Sequence, residues 1–359
     1  MLSRFGVVPY ANSLDTVGLL ARGVREIRGL VLGLREGEEG LWAEHDERDP
    51  TSLSAAARRR CAKGREGYAR SEGSGEREAG EVLRGLKFGI PLEYNIEELD
   101  PRIRDAWAAA AETLQNHFGA RVVPVSLPST RHALAAYYVI APAEASSNLA
   151  KYDGIRYGAR YRDPAADAAT DADGGVLYAA TRGRGFGDEA KRRILLGAYT
   201  LSSEAMDNYF LQAQRVRRLV RRDFDRVFAL ANPLLHEPEP FDLSDLPEHV
   251  PLEDKWGPEE VDFLLCPTAP TLAPRLDDVM RQTPVDAYMN DVFTVPASLA
   301  GLPAISIPMP VASGEAGDAV PGGSATAGLQ LVGQYWDDAR LLFVAEAVSK
   351  SLQGTAPGR

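Results

Sequence analysis

The sequence predicts an α/β fold, and three observations carry that prediction. "LKFGIP" (Leu86–Pro91) and "RVVPVSL" (Arg121–Leu127) are short strand-like runs separated by one helical segment, the spacing of a parallel βαβ unit. "VDFLLCPTAP" is an unbroken apolar run of strand length that enters a proline loop, as a buried strand does. "AISIPMP" and "GLQLVGQY" add two more strands late in the chain, ahead of a last helix.

The other elements follow in order. Gly6–Tyr10 is apolar but contains Pro9, which cannot donate to a ladder, so it is an edge or a loop. Val17, Leu20, Val24, Ile27 and Val31 recur at helical spacing and predict a helix over Asp15–Leu34. Asp100 as N-cap, Pro101 at the first helical position and Gly119 after the end frame a helix to Phe118. Ser129 is expected to cap the helix carrying "YYVIAPAEASSN", and Gly154 to end it. Asp188–Leu201 is helical. Glu204–Phe228 is a longer helix with Met206, Tyr209, Ala213, Val220, Phe224 and Val227 on one side. Asp337 and Asp338 suit the positive N-terminal end of the last helix. Four stretches rich in glycine, proline or acid, 55–82, 163–176, 232–259 and 311–328, read as flexible insertions in a single domain spanning 1–359.

Composition limits the function classes. At 359 residues with 45% hydrophobic content the chain has material for a substantial core. A formal net charge of −11 argues against binding polyanions through bulk electrostatics. Cys61 and Cys266 are far apart and lack metal-ligand spacing, which fits a reducing compartment without disulfides. No apolar run is long enough to span a bilayer, and the first residues have no continuous apolar segment of the secretory kind.

Four groups of residues bear on chemistry. Ser146 and Ser147 stand close before Lys151, but no glycine-rich turn there supplies oxyanion donors, so a helix-face contact is favoured over a nucleophile. Arg193, in "GFGDEAKRRILLG", follows a Gly-Phe-Gly turn and could hold a carboxylate in its planar fork. Asp291 sits in a largely apolar stretch, "YMNDVFTVPASLAGLPAISIPMP", where a carboxylate needs a partner: a helix N-terminus or a ligand amine. Arg215, Arg217, Arg218, Arg221, Arg222 and Arg226 could meet RNA phosphates, though Asp223 and Asp225 dilute them and an ion-paired helix face fits better. The five histidines form no pair at metal spacing, so no metal site is expected.

"YYVIAPAEASSNLAKYDGIRYG", "GFGDEAKRRILLGAYTLSS" and "NDVFTVPASLAGLPAISIPMP" together resemble the amidase signature family, and within it the A-type subunits of tRNA-dependent amidotransferases. "SRFGVVPYANSLDTVGLLAR", "KFGIPLEY" and "LLCPTAPTLAP" extend the resemblance in the same order, from Leu2 to about Leu352. It implies a mixed central sheet with helices on both faces. It implies amide hydrolysis by a Ser–cis-Ser–Lys triad, with ammonia from glutamine passing to a partner subunit that uses ATP and magnesium to convert Glu-tRNA(Gln) to Gln-tRNA(Gln). No cofactor is expected in this chain. The family's catalytic lysine and Gly/Ser-rich segment lie before "SRFGVVPYANSLD", so the triad is expected to be absent from an N-terminally truncated chain that is inactive alone. The resemblance assigns glutamine binding to Tyr137, Arg193 and Asp291, which makes the Tyr137–Gly158 stretch a wall of the site. It implies a B-type partner, a small C-type or fungal accessory subunit, tRNA through the complex, no membrane, and a mitochondrial setting if eukaryotic, otherwise cytoplasmic. A non-catalytic scaffold and a generic amidase are the alternatives.

Overall fold

The computed structural model describes residues 2–33, 40–41, 48, 53–54, 57–59, 61, 79–161, 178–235, 260–281, 283–311 and 326–354. Its helices are α1 (Val24–Leu32), α2 (Ala79–Leu83), α3 (Pro101–Phe118), α4 (Ala133–Asn148), α5 (Ala179–Gly185), α6 (Asp188–Thr200), α7 (Phe210–Val227), α8 (Val295–Ala300) and α9 (Asp338–Gly354), with minor helical turns between them. Its strands are β1 (Lys87–Pro91), β2 (Arg121–Val125), β3 (Phe263–Pro267), β4 (Ala304–Pro310) and β5 (Thr326–Val332). The chain divides into two compact units. One comprises Met1–Phe5, Val17–Leu134 and Arg217–Arg359, and the other comprises Gly6–Thr16 and Ala135–Val216.

The first unit holds the sheet, in the order β2-β1-β3-β5-β4. β1 pairs parallel with β2 and β3, whereas β5 runs antiparallel to both β3 and β4, so the sheet is mixed. The βαβ reading holds through α3. Asp100 Oδ1 accepts the Arg102 N–H at 2.9 Å, Pro101 opens the helix, and Gly119 closes it at φ 69°. Every residue of β3 is buried, as the apolar run "FLLCP" requires of a central strand. Phe88, Phe263, Leu265, Leu329, Leu331 and Val348 are at most 2% exposed and anchor the core. Each contributes about 1.5–3 kcal/mol when removed from water. Arg340 of α9 ties helix to sheet: its Nη1 donates to Asp262 and its Nε to Asp337, both at 2.9 Å, and its guanidinium lies 4.5 Å from the Phe263 ring centroid.

The structure corrects several boundaries. The expected Asp15–Leu34 helix is only Val24–Leu32, because Gly18 and Gly23 weaken its first half, and Leu20 stands 99% exposed. The Glu204–Phe228 helix starts at Phe210. Ser202, Ser203, Asp207 and Asn208 favour turns through local side-chain bonds, and residues 201–209 are turns. Ser129 receives its cap instead of supplying one. Asp223 on α7 accepts the Ser129 N–H at 2.7 Å, at the start of the 3-10 turn Pro128–His132 that leads into α4. Of the stretches expected to be insertions, 163–176 lies outside the described residues, as does most of each of the others. At their edges Cys61 and Val311 are buried, Asn232 donates to Asp225, and Thr326–Gly328 belong to β5.

Candidate functional site

Arg193 is the centre of the second unit's polar chemistry. It projects from α6, whose start Gly187 sets in extended backbone and whose first turn carries Asp188 and Glu189. Arg193 Nε donates to Glu189 Oε1 at 2.9 Å, an i,i+4 pair, and Nη1 donates to the Tyr10 hydroxyl at 3.0 Å. The guanidinium carbon lies 5.9 Å from the Tyr10 ring centroid and 5.8 Å from that of Tyr138, so two aromatic rings flank the charge. Burial alone would depress the basicity of this group, but the bonds to Glu189 and Tyr10 outweigh it and hold Arg193 protonated. Arg192 also bonds Glu189 but is more exposed, which makes Arg193 the arginine that faces the tyrosines.

Tyr10 arrives there on a tightly folded turn. The Asp15 carboxylate accepts the N–H groups of Tyr10 at 2.9 Å and Ala11 at 3.0 Å. Two α4 side chains one helical turn apart fasten the turn: Glu144 accepts the Ser13 N–H at 2.9 Å and bonds its hydroxyl, and Asn148 donates to the Tyr10 carbonyl at 2.9 Å. α4 in turn meets α6 through small residues. A Cβ at Gly197 would stand 2.0 Å from the Pro142 carbonyl oxygen and 2.8 Å from Ser146 Cβ.

Tyr137, predicted from sequence, adjoins Tyr138 on α4. Its ring packs edge-on against Tyr138, with centroids 5.1 Å apart at 86°. Ser146 and Ser147 both donate to the Ala143 carbonyl, at 2.9 and 3.3 Å, and the Lys151 ammonium sits 5.2 and 5.6 Å from the Tyr152 and Tyr157 rings. This geometry gives the serines to the helix and the lysine to aromatic rings. Tyr10, Tyr138 and Glu189 were not singled out by sequence reasoning.

Asp291 belongs to the first unit. Its carbonyl accepts the N–H groups of Thr294 and Val295 at 3.1 and 3.0 Å where α8 begins. Two contacts hold the turn after Asp291 in place. Phe293 stacks on Tyr94 with centroids 5.2 Å apart, and the Phe293 carbonyl accepts from buried Gln330 Nε2 at 3.0 Å. The same Gln330 amide donates to Cys266 Sγ at 3.3 Å, and burial pushes that thiol up to about 12. Arginines of α7 make contacts within this unit: Arg217 donates to the Leu299 carbonyl at 2.9 Å and Arg221 pairs with Asp225 at 3.6 Å. Among the described residues no helix is long and apolar enough to cross a membrane, and no cluster of three His, Cys, Asp or Glu side chains could hold a metal ion.

Residues 1–342 match the amidase family. Over 98% of its length the chain is 69% identical to a Podospora anserina protein named as the A-type subunit of mitochondrial glutamyl-tRNA(Gln) amidotransferase. It is 67% identical over 97% of its length to the protein of the same name from Neurospora crassa. The chain spans 65% of the length of each of these relatives. Among solved structures, the A-type subunit of the Thermotoga maritima glutamyl-tRNA(Gln) amidotransferase superposes with a TM-score of 0.57 at 25% identity, over 99% of this chain and 56% of that one. The fold also recurs in Kluyveromyces lactis allophanate hydrolase, at a TM-score of 0.56 and 17% identity over 98% of this chain and 42% of that one.

Proposed function

This chain belongs to the amidase family, and from that membership we propose that it is the glutamine-recognising part of a mitochondrial A-type subunit of a tRNA-dependent amidotransferase. In this reading Arg193 holds the α-carboxylate of glutamine through its fork, Asp291 receives the α-ammonium, and Tyr137 lines the pocket through its packing on Tyr138. The observation that carries it is Arg193 itself. It is a charged guanidinium set beside tyrosines and largely removed from solvent, in a chain 69% identical to a named relative. The amide released as ammonia would pass to a B-type partner that uses ATP and magnesium, with a small accessory subunit completing the assembly. The 359-residue polypeptide contains no Gly-Gly-Ser-Ser-Gly segment, so on its own it is expected to bind glutamine without releasing ammonia.

Calorimetric titration of the 359-residue chain with L-glutamine tests this reading. Arg193→Ala should weaken binding by about ten- to a hundredfold, the loss of a charge-assisted pair, and Asp291→Asn should weaken it by a similar factor. Equal affinity of the wild-type and both variants would remove glutamine from the site.

A further inference from the structure

We propose that Tyr10 is a second recognition residue for the α-carboxylate of the bound amino acid, acting through its phenolic O–H beside Arg193. The inference rests on the carboxylate reading of Arg193 and adds a residue that neither the motifs nor the relatives' names assign.

The geometry sets the chemistry. A phenol has one proton to give and lone pairs to receive with, whereas a guanidinium can only donate. The Tyr10 oxygen accepts from Arg193 Nη1 at 3.0 Å, so its acceptor side is turned to the arginine and its own proton is left for an acceptor. The acceptor that belongs beside a guanidinium is an anion. A carboxylate bound by Arg193 meets both donors at once, and the phenol, polarised by the cation it touches, is the stronger donor for it.

The second argument is placement. Five bonds fix the Tyr10–Asp15 turn without using the phenol: Asp15 to the N–H groups of Tyr10 and Ala11, Asn148 to the Tyr10 carbonyl, and Glu144 to the Ser13 N–H and hydroxyl. Ala11 is 2% exposed, so the turn is seated as well as bonded. The hydroxyl is therefore not needed to hold its own backbone, and among the described residues it bonds Arg193. Such a preorganised donor adds specificity because the ordering it requires is complete before the ligand arrives.

The test compares L-glutamine with L-glutaminamide, which replaces the α-carboxylate by a neutral amide of the same shape, on the 359-residue chain by calorimetry. The wild-type chain should prefer L-glutamine at least tenfold. Tyr10→Phe should reduce that preference by about five- to tenfold, through weaker L-glutamine binding with L-glutaminamide little changed. A uniform loss from poorer folding cancels in the ratio, so a merely structural role would leave the preference intact. An unchanged preference in Tyr10→Phe would overturn the assignment of Tyr10 while leaving Arg193 in place. A wild-type chain with no preference between the two ligands would instead overturn the carboxylate reading of Arg193, and the Tyr10 assignment with it.

Discussion

Gly197 of α6 lies against the Pro142 carbonyl of α4, so closely that a Cβ on it would approach that oxygen to 2.0 Å. Pro142 sits inside α4 and has no N–H to close the preceding turn, and Gly197 packs where the helix carries it. Four residues before Gly197 is Arg193, so this contact sets the height of the arginine over α4.

Gly197→Ala is therefore expected to force the two helices apart. Overpacking of this kind costs about 1–3 kcal/mol. Thermal melting should show the loss, and L-glutamine affinity should fall with it although no residue proposed to touch glutamine has changed. An alanine variant as stable as the wild type would show that the helices can shift freely.

Asp223 gives a prediction in pH. Burial raises its carboxyl to about 6, against the Ser129 bonds and the positive charges of Arg222 and Arg226, which pull it down. The unfolded value is near 3.9. Between these values the folded chain binds more protons than the unfolded one, so this residue makes stability fall as pH rises from about 4 to about 6. Asp223→Asn keeps an oxygen to accept the Ser129 N–H and removes the titration. Denaturant melts across that range should lose a downward slope worth on the order of 2 kcal/mol, and parallel slopes for the two proteins would refute the assignment.

Gln330 offers a separate handle on Asp291. Its amide is buried and donates to both Phe293 and Cys266. Gln330→Leu leaves the Phe293 carbonyl without that donor, at a cost of about 1–3 kcal/mol. Chemical denaturation should register this cost, and faster amide exchange of Thr294 and Val295 should show that the turn following Asp291 has loosened.

Arg340→Met isolates the ion pairs of α9. Asp337 is 2% exposed and Asp262 also bonds this arginine, so removing it takes away the cation that both carboxylates pair with. A loss of about 3–5 kcal/mol is expected. Replacing Asp337 by Asn in the same chain should recover part of it, which distinguishes stranded charge from lost packing.

The sequence was most readable where the signal is local. Asp100, Pro101 and Gly119 framed α3 because caps act within a few residues, and the fully apolar β3 declared itself buried. Periodicity misled where glycines or turn-forming side chains competed with it, as at Val17–Leu20 and Ser202–Asn208. The proposed roles of Arg193, Tyr137 and Asp291 came from sequence motifs, whereas Tyr10 contacts Arg193 across 183 positions and Asp223 caps Ser129 across 94. No spacing rule spans such separations. The bond belongs to the fold, and nothing in the neighbourhood of either residue announces it.

The strand order also governs how the polypeptide can be assembled as it leaves the ribosome. β1 and β2 emerge close together, but the partner for the other side of β1 is β3, and the bond from Lys87 to Asp262 beside it spans 175 positions. At about 5–20 residues per second this open side waits roughly 10 to 35 seconds for its neighbour. During that interval the nascent chain presents an unpaired strand edge, a surface that invites pairing with other chains until β3 arrives.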